Sequence, residues 1–245
     1  MMILGCMQPY FFPYLGYFDL INRCDRWAVF DTAKYARRHW MNRNRVLHPT
    51  SGWQYITVPV DRHTDGGAIV DVRIRNKLAA RRRILAQLAH YRQKRAPYFD
   101  ATVVLVERCF DESADDSLSG LAVSGLQLVC GYLGIAFEPL SLSRSNLVLP
   151  EIAHPGQWAV EISAAMGATD YLNAPGGHDL FYPDEFGQRG VRLHFAELIE
   201  FKYSCGDRPF IAHLSIVDVL MWNSPAVVKA HLDMIRDQWT RLAGA

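Results

Sequence analysis

The chain has 245 residues, 26 basic side chains against 25 acidic ones, a hydrophobic share of 50% and five cysteines. Charged residues at 21% are too few, and aromatic residues at 12% too many, for a disordered chain, and the length is ample for a sizeable core. No apolar stretch approaches the ~20 residues that cross a bilayer, so no membrane partner is expected. The opening Met1-Met2-Ile3-Leu4-Gly5-Cys6 lacks the charged start of a secretory signal. Cys6, Cys24, Cys109, Cys130 and Cys205 are odd in number and widely spread, which fits reduced thiols in a cytoplasm and neither a disulfide scaffold nor a structural zinc site.

Ile3 to Met7 reads as a buried strand, closed by Gln8-Pro9. Pro13 suits a first helical turn, and Tyr14, Tyr17, Phe18 and Ile21 follow at i, i+3, i+4 and i+7 as one apolar face. Trp27 to Phe30 is a second strand ending at Asp31, so the opening predicts a βαβ unit with two parallel strands. Gln54–Val60 and Ile69–Ile74 read as strands joined by the turn Thr64-Asp65-Gly66-Gly67. Helices are predicted over Lys77–Tyr91, from Pro97 to Phe110, and over Leu118–Leu133, the last capped by Asp116-Ser117 and stopped by Gly134. Ile135–Leu142 is strand-like, Pro155–Met166 helical, Asp170–Asn173 a short strand and Val191–Phe195 another. Ser215–Met221 and Pro225–Trp239 close the chain as helices. The alternation predicts a single α/β domain over 1–245, with a mostly parallel, helix-flanked, Rossmann-like sheet, a helical C-terminal part and room for a helical insertion at about 77–133.

Charge is uneven along the chain. Thr32 to Val60 contains no acid but carries Lys34, Arg37, Arg38, Arg43 and Arg45; Val72 to Phe99 is also free of acids and holds the Arg81-Arg82-Arg83 run. Consecutive helical residues point about 100° apart, so that run suits a solvated face. Balanced overall charge with a local basic block points to an anionic small molecule and away from a nucleic-acid partner.

Three stretches carry the candidate site. Gln8, Tyr10, Tyr14 and Gly16 lie where the first strand meets the first helix, and ligands of open α/β sheets bind beyond the carboxyl ends of strands. Asp31, Arg37, Trp40, Asn42, Arg43, Asn44 and Arg45 follow the second strand; arginine forks suit phosphate or carboxylate, and Trp40 can stack on a ring. Asn173, Gly176, Gly177 and His178 follow a later strand, where paired glycines can present backbone N–H groups to an anion. Asp31 and His178 are the candidate proton acceptors, with the other named residues binding substrate. No metal site is expected, since the nine histidines are scattered and no His-Glu-x-x-His occurs. Phosphate-loop, dinucleotide and nucleophile-elbow motifs are also missing, and these residues identify no particular cofactor, leaving the need for one open.

The opening layout is similar to that of nucleotidylyltransferases, but Tyr14-Leu15-Gly16-Tyr17 stands where their His-x-Gly-His motif would be. A closer likeness rests on Gln8-Pro9-Tyr10-Phe11-Phe12-Pro13-Tyr14-Leu15-Gly16-Tyr17, Phe30-Asp31, Arg37-Arg38, Trp40 and Asn42-Arg43-Asn44-Arg45. It continues through Thr57-Val58-Pro59-Val60, Ala96-Pro97-Tyr98-Phe99, Tyr171 to Gly177 and Leu214 to Leu220. With these the chain resembles the WbqC-like protein family, with Arg38-His39-Trp40 in place of the commoner Arg-Gly/Ser-Trp. The resemblance implies a setting in bacterial surface-polysaccharide, O-antigen or specialised-metabolite biosynthesis. Three readings fit: acyl or aminoacyl transfer to a phosphate- or nucleotide-bearing amino sugar, nucleotidyl transfer or ATP-dependent ligation, and non-catalytic binding of a glycan or nucleotide.

Overall fold

The computed structural model describes residues 1–61 and 66–243. Its opening is the expected βαβ unit. β1 (Ile3–Met7), α1 (Leu15–Arg23) and β2 (Arg26–Val29) place Leu4 opposite Arg26 and Met7 opposite Val29 in parallel register. Tyr17, Phe18 and Ile21 turn the apolar face of α1 inward.

A departure follows at once. The segment after β2, for which the sequence predicts no element, contains β3 (Arg43–Leu47), antiparallel to β4 (Trp53–Thr57) in a separate two-stranded sheet. The expected strand Ile69–Ile74 is instead a 3-10 turn over Ile69–Asp71. Its amides at Ile69 and Val70 donate to the carbonyls of Ala33 and Asp31, so the segment is tied to the loop after β2 rather than to a sheet neighbour. The turn predicted at Thr64-Asp65-Gly66-Gly67 begins outside the described residues.

Four helices come next: α2 (Lys77–Leu88), α3 (His90–Gln93), α4 (Phe99–Glu112) and α5 (Leu118–Leu133). The predicted caps of α5 are both present. The Ser117 hydroxyl accepts from the Gly120 amide at 3.1 Å, and Gly134 adopts a left-handed φ of 70°. The strand-like run after α5 narrows to β5 (Pro139–Ser141). Then come α6 (Gln157–Ala165), β6 (Asp170–Asn173), α7 (Pro183–Gln188), β7 (Arg192–Phe195), α8 (Ile216–Trp222) and α9 (Pro225–Ala243).

The main sheet has the order β5-β2-β1-β6-β7, and every neighbouring pair is parallel. β1 and β6 are buried almost end to end, as strands covered by helices on both faces must be. One core contains Phe18, Ile21, Phe110 and Leu126; a second contains Leu4, Ala28, Val160, Tyr171 and Phe186. The architecture is a mostly parallel α/β sheet of Rossmann-like type with a helical C-terminal part.

At the amino-terminal edge of β6 and β7, the buried Asp170 carboxylate accepts from Arg192, from the Thr169 hydroxyl at 2.7 Å and from His194 Nε2 at 2.8 Å. Burial opposes its charge, but these donors outweigh burial and hold its carboxyl below the ordinary aspartate range. A carboxylate with a depressed native pKa stabilises the fold above its unfolded pKa and loses that contribution as pH falls through the native value. Asp170→Asn is therefore expected to cost about 2 kcal/mol near neutrality. In urea titrations the gap from wild type should shrink steadily below about pH 4; a gap that does not depend on pH would refute this.

Candidate functional site

A cavity of about 1060 Å³ opens at the carboxyl ends of β1, β2 and β6. Gln8, Tyr10 and Tyr14 enter it from the β1–α1 junction, Trp40, Asn44 and Arg45 from the β3 side, and Asn173, Gly176 and Gly177 from the end of β6. Residues from all three candidate stretches thus share one hollow. Lys34, Arg45, His39, His154 and His213 line it, and no aspartate or glutamate does so among the described residues.

Of the arginine–asparagine run, Asn44 and Arg45 reach the cavity lining while Asn42 and Arg43 do not. Side chains on a strand alternate between faces, so Asn42 and Asn44 point into the protein while Arg43 and Arg45 share the other face. Asn42 is buried and donates to the Val58 carbonyl at 3.0 Å. Asn44 donates to the carbonyls of Phe11 and Phe12 at 3.2 and 3.0 Å and accepts from the Arg45 amide, tying β3 to the β1–α1 junction. The Arg45 guanidinium lies 5.4 Å from the Trp40 ring and 5.2 Å from the Trp53 ring, and donates to the His213 carbonyl at 3.1 Å. Arg43 covers the Tyr55 ring at 4.0 Å and stays outside the cavity lining. No carboxylate among the described residues pairs with Arg43 or Arg45. Both Nε atoms are buried without a partner, so these cations are held by aromatic faces rather than neutralised. Arg37 is exposed and away from the lining.

The two acid–base candidates lie elsewhere. Asp31 is buried, accepts from the amide and hydroxyl of Ser143 at 2.9 and 2.5 Å, and borders a different depression with Ser141 and Arg144. His178 is exposed, stacked flat on Phe195 at 3.6 Å, and outside the cavity. Gly16 also lies outside the lining; its missing side chain leaves space for the Tyr14 ring, since a Cβ there would sit 2.4 Å from Tyr14 Cε2. Gly177 is a packing glycine, where a Cβ would lie 2.1 Å from Asn173 Nδ2. Its own N–H already donates to the Ala174 carbonyl.

His39 and His154, which are not among the candidate residues read from the sequence, complete the wall with Tyr10 and Cys6. Burial, then the nearby Arg43 charge, pushes the His39 pKa down, so its ring is neutral at pH 7. Burial raises Tyr10 to about 12, with Tyr14 adding to the effect, and raises Cys6 to about 12, so neither ionises at neutral pH. His154 stands just before α6 and donates from Nε2 to both Glu185 oxygens, at 2.9 and 3.0 Å. Its only sequence signal is position: His154-Pro155 precedes a helix that packs on the sheet, while Glu185 is 31 residues away.

The WbqC-like protein family model matches residues 8–230, from the β1–α1 junction into α9. The chain belongs to the WbqC-like protein family. A relative within reach of sequence comparison is the uncharacterized protein Rv1507c of Mycobacterium tuberculosis, 30% identical over 203 residues that cover 78% of this chain and 80% of the relative. No solved structure matches the chain. Among the described residues, no helix of this WbqC-like protein is long and apolar enough to cross a membrane, and no group of three His, Cys, Asp or Glu is placed to hold a metal ion.

Proposed function

We propose that this WbqC-like protein is a biosynthetic transferase acting on a phosphate- or nucleotide-bearing small molecule. The reaction that fits best is acyl or aminoacyl transfer to an amino sugar in cytoplasmic synthesis of surface polysaccharide or a specialised metabolite. One observation carries this reading: a cavity at the carboxyl ends of parallel strands is lined by the cations Lys34 and Arg45, and among the described residues no carboxylate stands in its lining to cancel their charge. Such a hollow favours an anion, and a guanidinium fixed against Trp40 and Trp53 has already lost the freedom it would otherwise give up on binding. The aromatic walls, Tyr10, Tyr14 and Trp40, suit a sugar or base attached to that anion.

Arg45→Ala is expected to lower affinity for UDP-sugars about 10- to 100-fold, the value of a lost charge-assisted hydrogen bond. Arg82→Ala, on the exposed face of α2, should leave it unchanged. Thermal-shift titration with inorganic phosphate, nucleotides and nucleotide sugars checks both variants, because a ligand that binds only the native state raises the melting temperature. If none of these probes stabilises the wild type, the reading fails.

A further inference from the structure

A transferase that joins an amine or hydroxyl to an acyl carbon needs a group to take the acceptor's proton, and neither Asp31 nor His178 reaches the cavity. We infer that His154 is the proton acceptor of this site, a catalytic residue oriented by Glu185, which is a positioning residue. The inference rests on the transferase reading above.

A carboxylate only accepts hydrogen bonds, so the contact with Glu185 fixes the imidazole proton on Nε2 and leaves a lone pair on Nδ1. Nδ1 has no partner among the described residues and is not among the buried unpartnered atoms, so it is open to incoming groups. The ring is also held in place mechanically. Tyr182 packs its edge against it at 5.0 Å, and Gly156 brings the backbone of this segment against Leu180. The other cavity histidines lack such an arrangement. Among the described residues no carboxylate contacts His39, whose neighbour Arg43 opposes protonation, and none contacts His213, which sits edge-on to Tyr14. Glu185 and Tyr182 touch His154, while Lys34, His39, Arg45 and His213 share its cavity.

In the step so assigned, the acceptor's nitrogen or oxygen bonds to the carbonyl carbon of an activated acyl donor as its proton passes to Nδ1. The bond from that carbon to the donor's leaving atom breaks, and the proton moves from Nδ1 to that atom. Charge and atoms balance without a further reagent.

The test combines imidazole nitrogen NMR of the full chain, with UDP as the probe, and turnover against pH over a panel of nucleotide sugars and acyl donors. In wild type, His154 should carry its proton on Nε2 and its Nδ1 signal should move when UDP is added. Glu185→Gln should abolish the tautomer preference. His154→Gln should bind UDP within about threefold of wild type yet turn over about 10²- to 10⁴-fold more slowly, without the acidic limb of the wild-type profile. A proton on Nδ1, an Nδ1 signal indifferent to bound UDP, or turnover of His154→Gln within about threefold of wild type overturns the assignment while leaving the anion site intact. Failure of the wild type to bind UDP or any nucleotide sugar instead removes the transferase reading and this inference together.

Discussion

Replacing Asp218 by alanine is expected to lower stability by about 3–5 kcal/mol, enough to leave a chain of this kind only marginally folded. Asp218 lies in α8 with no exposed surface, and its carboxylate accepts from the Tyr91 hydroxyl, from the Tyr203 hydroxyl at 2.6 Å and from the Leu47 amide at 3.3 Å. Alanine would strand these donors in the core, each at about 1–3 kcal/mol less whatever they recover from one another. Burial raises the Asp218 pKa even though all three donors pull it down. A native pKa above the unfolded one means that this group's contribution is full at low pH and is lost as pH rises through the native value. Asp218→Asn cannot ionise, so its deficit relative to wild type should be smaller at pH 7 than at pH 4 in urea titrations. Equal deficits at both would show that ionisation of Asp218 is not opposed in the fold. The damage should extend to the cavity, because the Ser215 amide at the start of α8 donates to the Arg45 carbonyl at 2.7 Å and the Ser215 hydroxyl to that of Phe12 at 2.6 Å.

The β1–α1–β2 opening was legible because its residues obey simple periods: an unbroken apolar strand, a proline at a helix start and an i, i+3, i+4, i+7 face. β3 obeys a simple period too, and Asn42-Arg43-Asn44-Arg45 alternates as strictly as any strand. It escaped notice because the inward residues ahead of the buried Val46 are asparagines rather than apolar side chains. Their amides take backbone carbonyls of Val58, Phe11 and Phe12, so burial is satisfied by hydrogen bonds instead of apolar area. Arg43 and Arg45 share one face of β3, yet Arg45 reaches the cavity beside Trp40 and Trp53 while Arg43 covers Tyr55, a division that composition cannot express. Ile69–Ile74 failed in the opposite sense. Its β-branched residues suit a strand, but the carbonyls of Asp31 and Ala33 take its first amides, and a 3-10 turn results. Asp31 looked catalytic from its place after β2, and nothing local to it announced that Ser143, 112 residues later, would fill its acceptor positions. His154 and Glu185 were invisible for the same reason: a pairing made by packing α7 against α6 leaves no spacing rule in the chain.

Gly156→Ala is expected to be the most damaging methyl addition near the cavity, costing about 3 kcal/mol and weakening nucleotide-sugar binding at least about tenfold. Gly156 caps α6 with an ordinary helical φ of −69°, so backbone strain is not the reason for glycine there. The reason is proximity: a Cβ would lie 2.0 Å from the Leu180 carbonyl oxygen and 3.0 Å from its carbon. Both are backbone atoms, which cannot swing aside as a side chain can. The 3-10 turn Pro175–Leu180 must then retreat, taking Gly176 and Gly177 away from the cavity and disturbing His154 on the other side. Gly176→Ala is the contrasting case. Nothing lies within 4 Å of its added Cβ and its φ is not left-handed, so stability should change by no more than about 0.5 kcal/mol. Urea unfolding and UDP-sugar titration of the two variants decide the point. If both substitutions proved equally mild, the turn would be free to shift, and the fit of Gly156 to Leu180 could not be what sets the distance between the two walls of the cavity.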